Sequence, residues 1–146
     1  LCFLVLDDRS ARIEVSFFTR TYEQYKHLLI KDQLLVVEGE ASSDEYSGGL
    51  RFNVDKAFDL TGARGCYAKR LELSLNEHDL SLSQIELLKT SLLSAKGGET
   101  PVMINYLGAQ ADARLRMGEN WKVHPSNDLL TQLQQLFGAE QVTVKY

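Results

Sequence analysis

The sequence is poor in the groups that carry covalent or metal chemistry. Its two cysteines, Cys2 and Cys66, fit no metal-ligand spacing and no disulfide framework. They read as reduced thiols of a cytoplasmic protein. No apolar run approaches the ~18 residues of a membrane helix, and no basic segment precedes a signal-like apolar core, so no membrane partner is expected. An excess of positive charge is also missing. The 16 Lys and Arg against 20 Asp and Glu leave a net charge of -4, which excludes a protein that coats DNA by charge alone. No phosphate loop, nucleophile elbow or zinc pattern occurs. Gly48-Gly49 and Gly97-Gly98 are isolated turn glycines. His27, His78 and His124 share no local spacing with cysteine or acidic partners. Asp7-Asp8 reads as a turn, because Asp side chains bond nearby backbone N–H groups. No nucleophile, base and orienting group can be assembled. No catalytic residue, metal ligand or cofactor is therefore expected.

What is present is an ordinary globular chain of 146 residues with 44% hydrophobic and 25% charged residues, enough for one domain or two small ones. It starts at Leu1 with a bare strand, which predicts a piece cut from a longer protein. Residues 1–6 are a continuous apolar run of strand length, followed by the polar turn 7–10. Residues 12–17 alternate, with Ile13, Val15 and Phe17 on one face and Arg12, Glu14 and Ser16 on the other. The two make a hairpin. Thr21 with Gln24 has the spacing of a capping box for a short helix through Tyr22, Tyr25, Leu28 and Leu29. Residues 33–40 form a third strand, with Gly39 at a bulge or a close approach. A polar loop over 42–49 leads to a fourth strand, where Leu50, Phe52 and Val54 alternate with Arg51, Asn53 and Asp55.

Residues 61–68, with two glycines, form the expected linker between a first domain (1–60) and a second (69–146). Charge does not separate the halves: residues 1–66 hold 8 basic and 11 acidic groups, and residues 67–146 hold 8 and 9. The second half reads strand, helix, strand, strand, helix, strand. Ser81 or Ser83 caps the first helix, and Gly97-Gly98 stops it. Residues 121–124 are expected to continue the sheet, Pro125-Ser126 to open the last helix, and 141–146 to form a closing strand or extended tail. This βαββαβ order predicts a small ferredoxin-like α+β domain.

A hairpin, a helix and two further strands are the order of an oligonucleotide-binding (OB) β-barrel without its first strand, an incomplete OB-fold. That fold binds single strands on a sheet face and flanking loops. Arg9, Arg12, Arg51 and Lys56 lie on the turn or at outward strand positions, and Phe18 or Phe52 could stack bases. Phe52 is in phase with Leu50 and Val54, which favours the core for it.

The stretch Phe3-Leu4-Val5-Leu6-Asp7-Asp8-Arg9-Ser10-Ala11-Arg12-Ile13-Glu14-Val15, with Val36-Val37-Glu38-Gly39, resembles the OB-fold shared by class II aminoacyl-tRNA synthetases and DNA polymerase III alpha subunits. Ala111-Asp112-Ala113-Arg114-Leu115-Arg116-Met117-Gly118, Trp121-Lys122-Val123-His124-Pro125-Ser126 and Gly138-Ala139-Glu140-Gln141-Val142 resemble the end of the proteobacterial alpha subunit. An anticodon-binding-type OB module of a synthetase-like protein is the alternative, and these second-half motifs count against it. The resemblance implies a non-catalytic part of a DNA-directed DNA polymerase, a nucleotidyltransferase whose metal-binding palm is not among these residues. It implies an OB domain near single-stranded template, which it would bind weakly, and a C-terminal domain that docks the tau subunit of the clamp loader. It also implies a second contact, to the sliding clamp, in the last residues. Gln141, Val142, Val144 and Tyr146 are the partner-binding candidates there. A peptide of this kind docks by adding an extended strand to a partner and filling its side-chain pockets.

Overall fold

The computed structural model describes residues 1–146, which divide into two compact units, Leu1–Leu60 and Thr61–Tyr146. In the first, β1 (Cys2–Asp7) and β2 (Arg12–Phe17) form an antiparallel hairpin in unbroken register from Cys2 opposite Phe17 to Asp7 opposite Arg12. The turn is held by its aspartates. The Asp8 carboxylate accepts hydrogen bonds from the Ser10 and Ala11 N–H groups and from the Ser10 hydroxyl, at 2.7–2.9 Å. Those bonds, the Ser10 hydroxyl first, lower its pKa to about 2. Arg9 takes the left-handed conformation (φ 72°) that the turn requires.

The helix α1 (Thr19–Tyr25) begins earlier than the capping-box spacing of Thr21 and Gln24 predicts. Phe18 is its N-cap residue, without a side-chain cap, and Tyr22 N–H bonds Phe18 C=O at 2.8 Å. Burial of Phe17 at the end of β2 fixes where the chain turns, and this overrides the local signal at Thr21. Strand β3 (Val36–Ser43) pairs antiparallel with β4 (Leu50–Phe58). It starts three residues later than expected and runs on through Ser42 and Ser43, which the ladder to Leu50 and Arg51 holds in place. The register shifts between Glu38 and Gly39, where Lys56 and Val54 are the successive partners. The extra residue, Asp55, reverses the alternation of β4, so Val54 and Ala57 are both buried. A Cβ on Gly39 would overlap the Asn53 carbonyl oxygen, so this glycine is both at the bulge and at a close approach.

The strand order is β1-β2-β4-β3, with β2 and β4 parallel through Val15–Phe52 and Ser16–Asn53. This is an OB barrel opened at the place of its first strand: β1 and β3 are free edges. Val15, Phe17, Val54 and Ala57 form its core, lined by Leu4, Leu6, Tyr22, Tyr25 and Leu29.

The stretch expected as a linker is instead the helix α2 (Leu60–Tyr67). Gly62 and Gly65 each cost a helix about 1 kcal/mol. Burial of Ala63 and a hydrogen bond from Arg64 to Asn127 Oδ1 outweigh that local cost.

The second unit comprises β5 (Arg70–Asn76), α3 (Leu82–Ser94), β6 (Lys96–Thr100), β7 (Val102–Leu107), β8 (Asp112–Arg116), α4 (Asn127–Phe137) and β9 (Val142–Lys145). Ser81, not Ser83, caps α3. Its side chain accepts from Gln84 N–H while the Gln84 side chain accepts from Ser81 N–H. Ser126 caps α4 by accepting from Leu129 N–H at 3.2 Å, and Gly138 ends it at φ 94°. The sheet order is β8-β7-β5-β9. Strand β6, over the expected helix stop at Gly97-Gly98, is additional to the expected βαββαβ order, and the pairing refines it: β5 and β7 are direct parallel neighbours joined through α3, not the two arms of a split βαβ unit. Residues 121–124 do not join this sheet. Val123 bridges Lys96 and Thr100 of β6 instead. That approach is close enough that a Cβ on Gly98 would overlap the Val123 carbonyl. Leu71, Leu73, Val102, Val123 and Leu133 are fully buried in one core between sheet and helices, each worth about 1.5–3 kcal/mol of burial. No helix is long and apolar enough to cross a membrane.

Candidate nucleic-acid interface

The hairpin register assigns the faces of β1, which its continuous apolar run conceals. Phe3 lies opposite Ser16, and Val5 opposite Glu14. Cys2, Leu4 and Leu6 therefore face the core, while Leu1, Phe3 and Val5 face outward and are 58–64% exposed. On the outer face, Phe3, Glu14, Ser16, Phe18, Arg51 and Asn53 line an open groove of about 480 Å³, with Asp44 and Ser47 of the β3–β4 turn at its rim. In an OB barrel this is the face of the second and third strands with the loop between the fourth and fifth, the region that takes single strands.

The floor of the groove is fixed. Ser16 Oγ donates to Asn53 Oδ1 at 2.6 Å, across the β2–β4 pair. Arg51 donates from Nη2 to Asp44 Oδ2 at 3.1 Å. Asp44 also accepts from the Ser47 hydroxyl and from Tyr46 N–H. The Ser47 bond, then the Tyr46 N–H and then the Arg51 charge hold its carboxyl below the usual range. Arg51 is thus tethered but largely exposed, and an incoming phosphate would compete with Asp44 for it.

The sequence-derived candidates fall in separate places. Phe18 (56% exposed) and Arg51 share the groove. Arg12 is at the turn end of the hairpin, paired with Asp7 at 2.8 Å, and lines a different hollow with Asp32 and Leu34. Arg9 sits in the turn itself and makes no ion pair. Lys56 pairs with Glu38 at 3.3 Å on the β3–β4 ladder. Phe52 packs against the core. Sequence reasoning missed Phe3. The signal was available: a hairpin closed by residues 8–11 carries the alternation of β2 onto β1 and puts Phe3 on the polar face.

At the other end of the chain, Val142 is buried and Val144 packs half-buried on the same core. Residues 142–145 pair antiparallel with β5, from Leu73 opposite Val142 to Arg70 opposite Lys145. β9 is an edge of the sheet. Gln141 is half-buried in the turn before it, and Tyr146 is 61% exposed. The helix α3 also leaves large apolar side chains in solvent, Leu82 at 83%, Ile85 at 45% and Leu93 at 44% exposed. No group of three or more His, Cys, Asp or Glu side chains is placed to hold a metal ion.

The opened sheet and its helix give the first unit the OB-fold, and residues 1–60 match the family described as OB-fold nucleic acid binding domain. Residues 87–138 match the family described as DNA polymerase III subunit alpha, C-terminal domain. The chain is similar to DNA polymerase III subunit alpha of Escherichia coli O157:H7, at 42% identity over 97% of the chain. The corresponding subunits of Haemophilus influenzae and Vibrio cholerae are each 36% identical, over 97% and 98% of it. The chain spans 12% of the length of each of these relatives. Over almost its whole length the chain is homologous to the C-terminal region of DNA polymerase III alpha subunits.

Proposed function

We propose that this chain is a non-catalytic binding part of a cytoplasmic replicative DNA polymerase, with a first unit that holds single-stranded template and a second that docks the clamp-loader tau subunit, and the sliding clamp as a second partner. The observation that carries the first half is the groove lined by two exposed aromatic rings, Phe3 and Phe18, together with a tethered but exposed Arg51. Base–aromatic stacking is worth about 1–3 kcal/mol per base and tolerates any sequence. The first unit carries more acidic than basic groups, so long-range attraction is absent and binding is weak and local. Arg9, Arg12 and Lys56, lying outside the groove, add phosphate contacts only along a longer strand.

The docking half is supported by the family resemblance together with two exposed features of the second unit: the apolar side chains Leu82, Ile85 and Leu93 on α3, and the free edge of β9 with Gln141 and Tyr146 beside it. Val142 and Val144 are used by the core, so in this reading they position the edge for the partner. The groove is tested by fluorescence anisotropy with a labelled oligothymidine at low salt. Phe3→Ala with Arg51→Ala should lower affinity about tenfold or more, with thermal stability unchanged. Equal binding by wild type and variant would remove this groove from the site.

A further inference from the structure

The face of the second sheet that turns away from α3 and α4 is distinctly basic. Leu71, Leu73, Leu75 and Val102 face the core, so the alternate residues of the same strands face out. Across the sheet, Arg116, Met103, Glu72 and Thr143 form one row, Arg114, Asn105 and Ser74 the next, and Arg70 and Lys145 are neighbours at the end. Arg70, Arg114, Arg116 and Lys145 thus oppose Glu72 and Asp112, in a chain whose net charge is -4. Lys69, Arg70 and Arg116 line a hollow of about 190 Å³ with Pro101, Val102 and Met103, and no carboxylate lines it. Glu72 accepts from Arg70 Nε and, at 3.0 Å, from Arg114 Nη2, which holds both guanidiniums in place on the sheet. The Arg70 hydrogen bond, then the charges of Arg70, Arg114 and Lys145, keep its carboxyl below the usual range.

The chemistry of this face fits an anion with many phosphates. Guanidinium forks match phosphate oxygens in pairs. Strands about 4.8 Å apart put the basic row on β8 roughly 10–14 Å from that on β5 and β9, the scale of a ~12 Å DNA major groove. No aromatic ring lies in the rows, so unstacked bases would gain nothing here, whereas a duplex keeps its bases stacked and presents its phosphates outward. Arginine clusters also take acidic peptides, but a single extended chain about 5 Å wide would cover only one of the two basic rows.

We infer that the outer face of β8-β7-β5-β9 holds the phosphate backbone of duplex nucleic acid, with Lys69, Arg70 and Arg116 gathered around one phosphate and Arg114 and Lys145 on its neighbours. The test is anisotropy of a labelled blunt-ended 20-base-pair duplex with the 146-residue chain over a salt series. Binding should weaken with salt at a log–log slope of about -3. Lys69→Glu with Arg116→Glu should weaken it tenfold or more and reduce the slope by about 1, at an unchanged melting temperature. If that pair unfolds the chain, Lys69→Gln with Arg116→Gln should still give a severalfold loss. The groove variant Phe3→Ala/Arg51→Ala should bind the duplex as wild type does, which separates failure of this inference from failure of the groove. No duplex binding by wild type, or no loss in a folded Lys69/Arg116 variant, overturns it. So does a chain that ignores the duplex but binds polyglutamate in a way that the Lys69/Arg116 variant abolishes, which would make the partner an acidic polypeptide.

Discussion

Thr100 shows how a single atom can work against the core around it. Its side chain is fully buried, and its Oγ1 has no hydrogen-bond partner. A buried hydroxyl without a partner costs about 1–3 kcal/mol, and removing it while keeping the shape recovers part of that. Valine has nearly the same outline. Thr100→Val should therefore raise the stability of the second unit by about 1 kcal/mol, read as a higher urea midpoint at an unchanged slope. A lower midpoint would mean that the hydroxyl is satisfied in solution. The exposed ion pairs Arg12–Asp7 and Lys56–Glu38 offer no comparable lever, since such pairs are typically worth under about 1 kcal/mol. Their role is to hold cations in place, at the cost of reducing the charge left for a phosphate.

At the scale of elements, the strands that alternate were legible in the sequence, and their partners were not. The inward set Val15 and Phe17 and the caps Ser81 and Ser126 follow from local pattern. The start of α1 and the helix α2 were hidden, because burial of Phe17 and Ala63 decides them and both depend on distant residues. The same limit applied to the candidate site. Arg51 and Phe18 could be named from strand phase, but only the hairpin register shows that Phe3 joins them and that Arg12 does not, and only the β3–β4 register places Lys56 elsewhere. Gly39 was legible as a special position, and the structure shows why. A Cβ there meets the backbone of Asn53 and Val54, which the β2–β4 and β3–β4 ladders hold in place. Gly39→Ala should cost about 2 kcal/mol or more and lower the melting temperature of the first unit. An unchanged melting temperature would mean that β3 can move off β4 at the bulge without loss, and that the bulge is soft.

For the whole molecule, the last strand carries two demands that the sequence left as alternatives. β9 closes the sheet of the second unit, with Val142 buried in its core, yet it is an edge strand with free backbone groups. An edge of this kind is open to another chain. Closing and docking are thus compatible, since they use opposite sides of one strand: β5 takes the inner edge, and the outer edge with Tyr146 is left for a partner. The two roles respond to different changes. Deleting 142–146 should unfold the second unit, and Val142→Ala alone should cost about 2 kcal/mol of its stability. Gln141→Ala with Tyr146→Ala should leave circular dichroism and melting unchanged while weakening capture of the tau subunit or the sliding clamp about tenfold in surface plasmon resonance. Unchanged affinity for both partners in that folded variant would take the tail out of the interface and leave the exposed apolar side of α3 as the docking surface. A second unit that melts normally without residues 142–146 would show instead that β9 is not required to close its sheet.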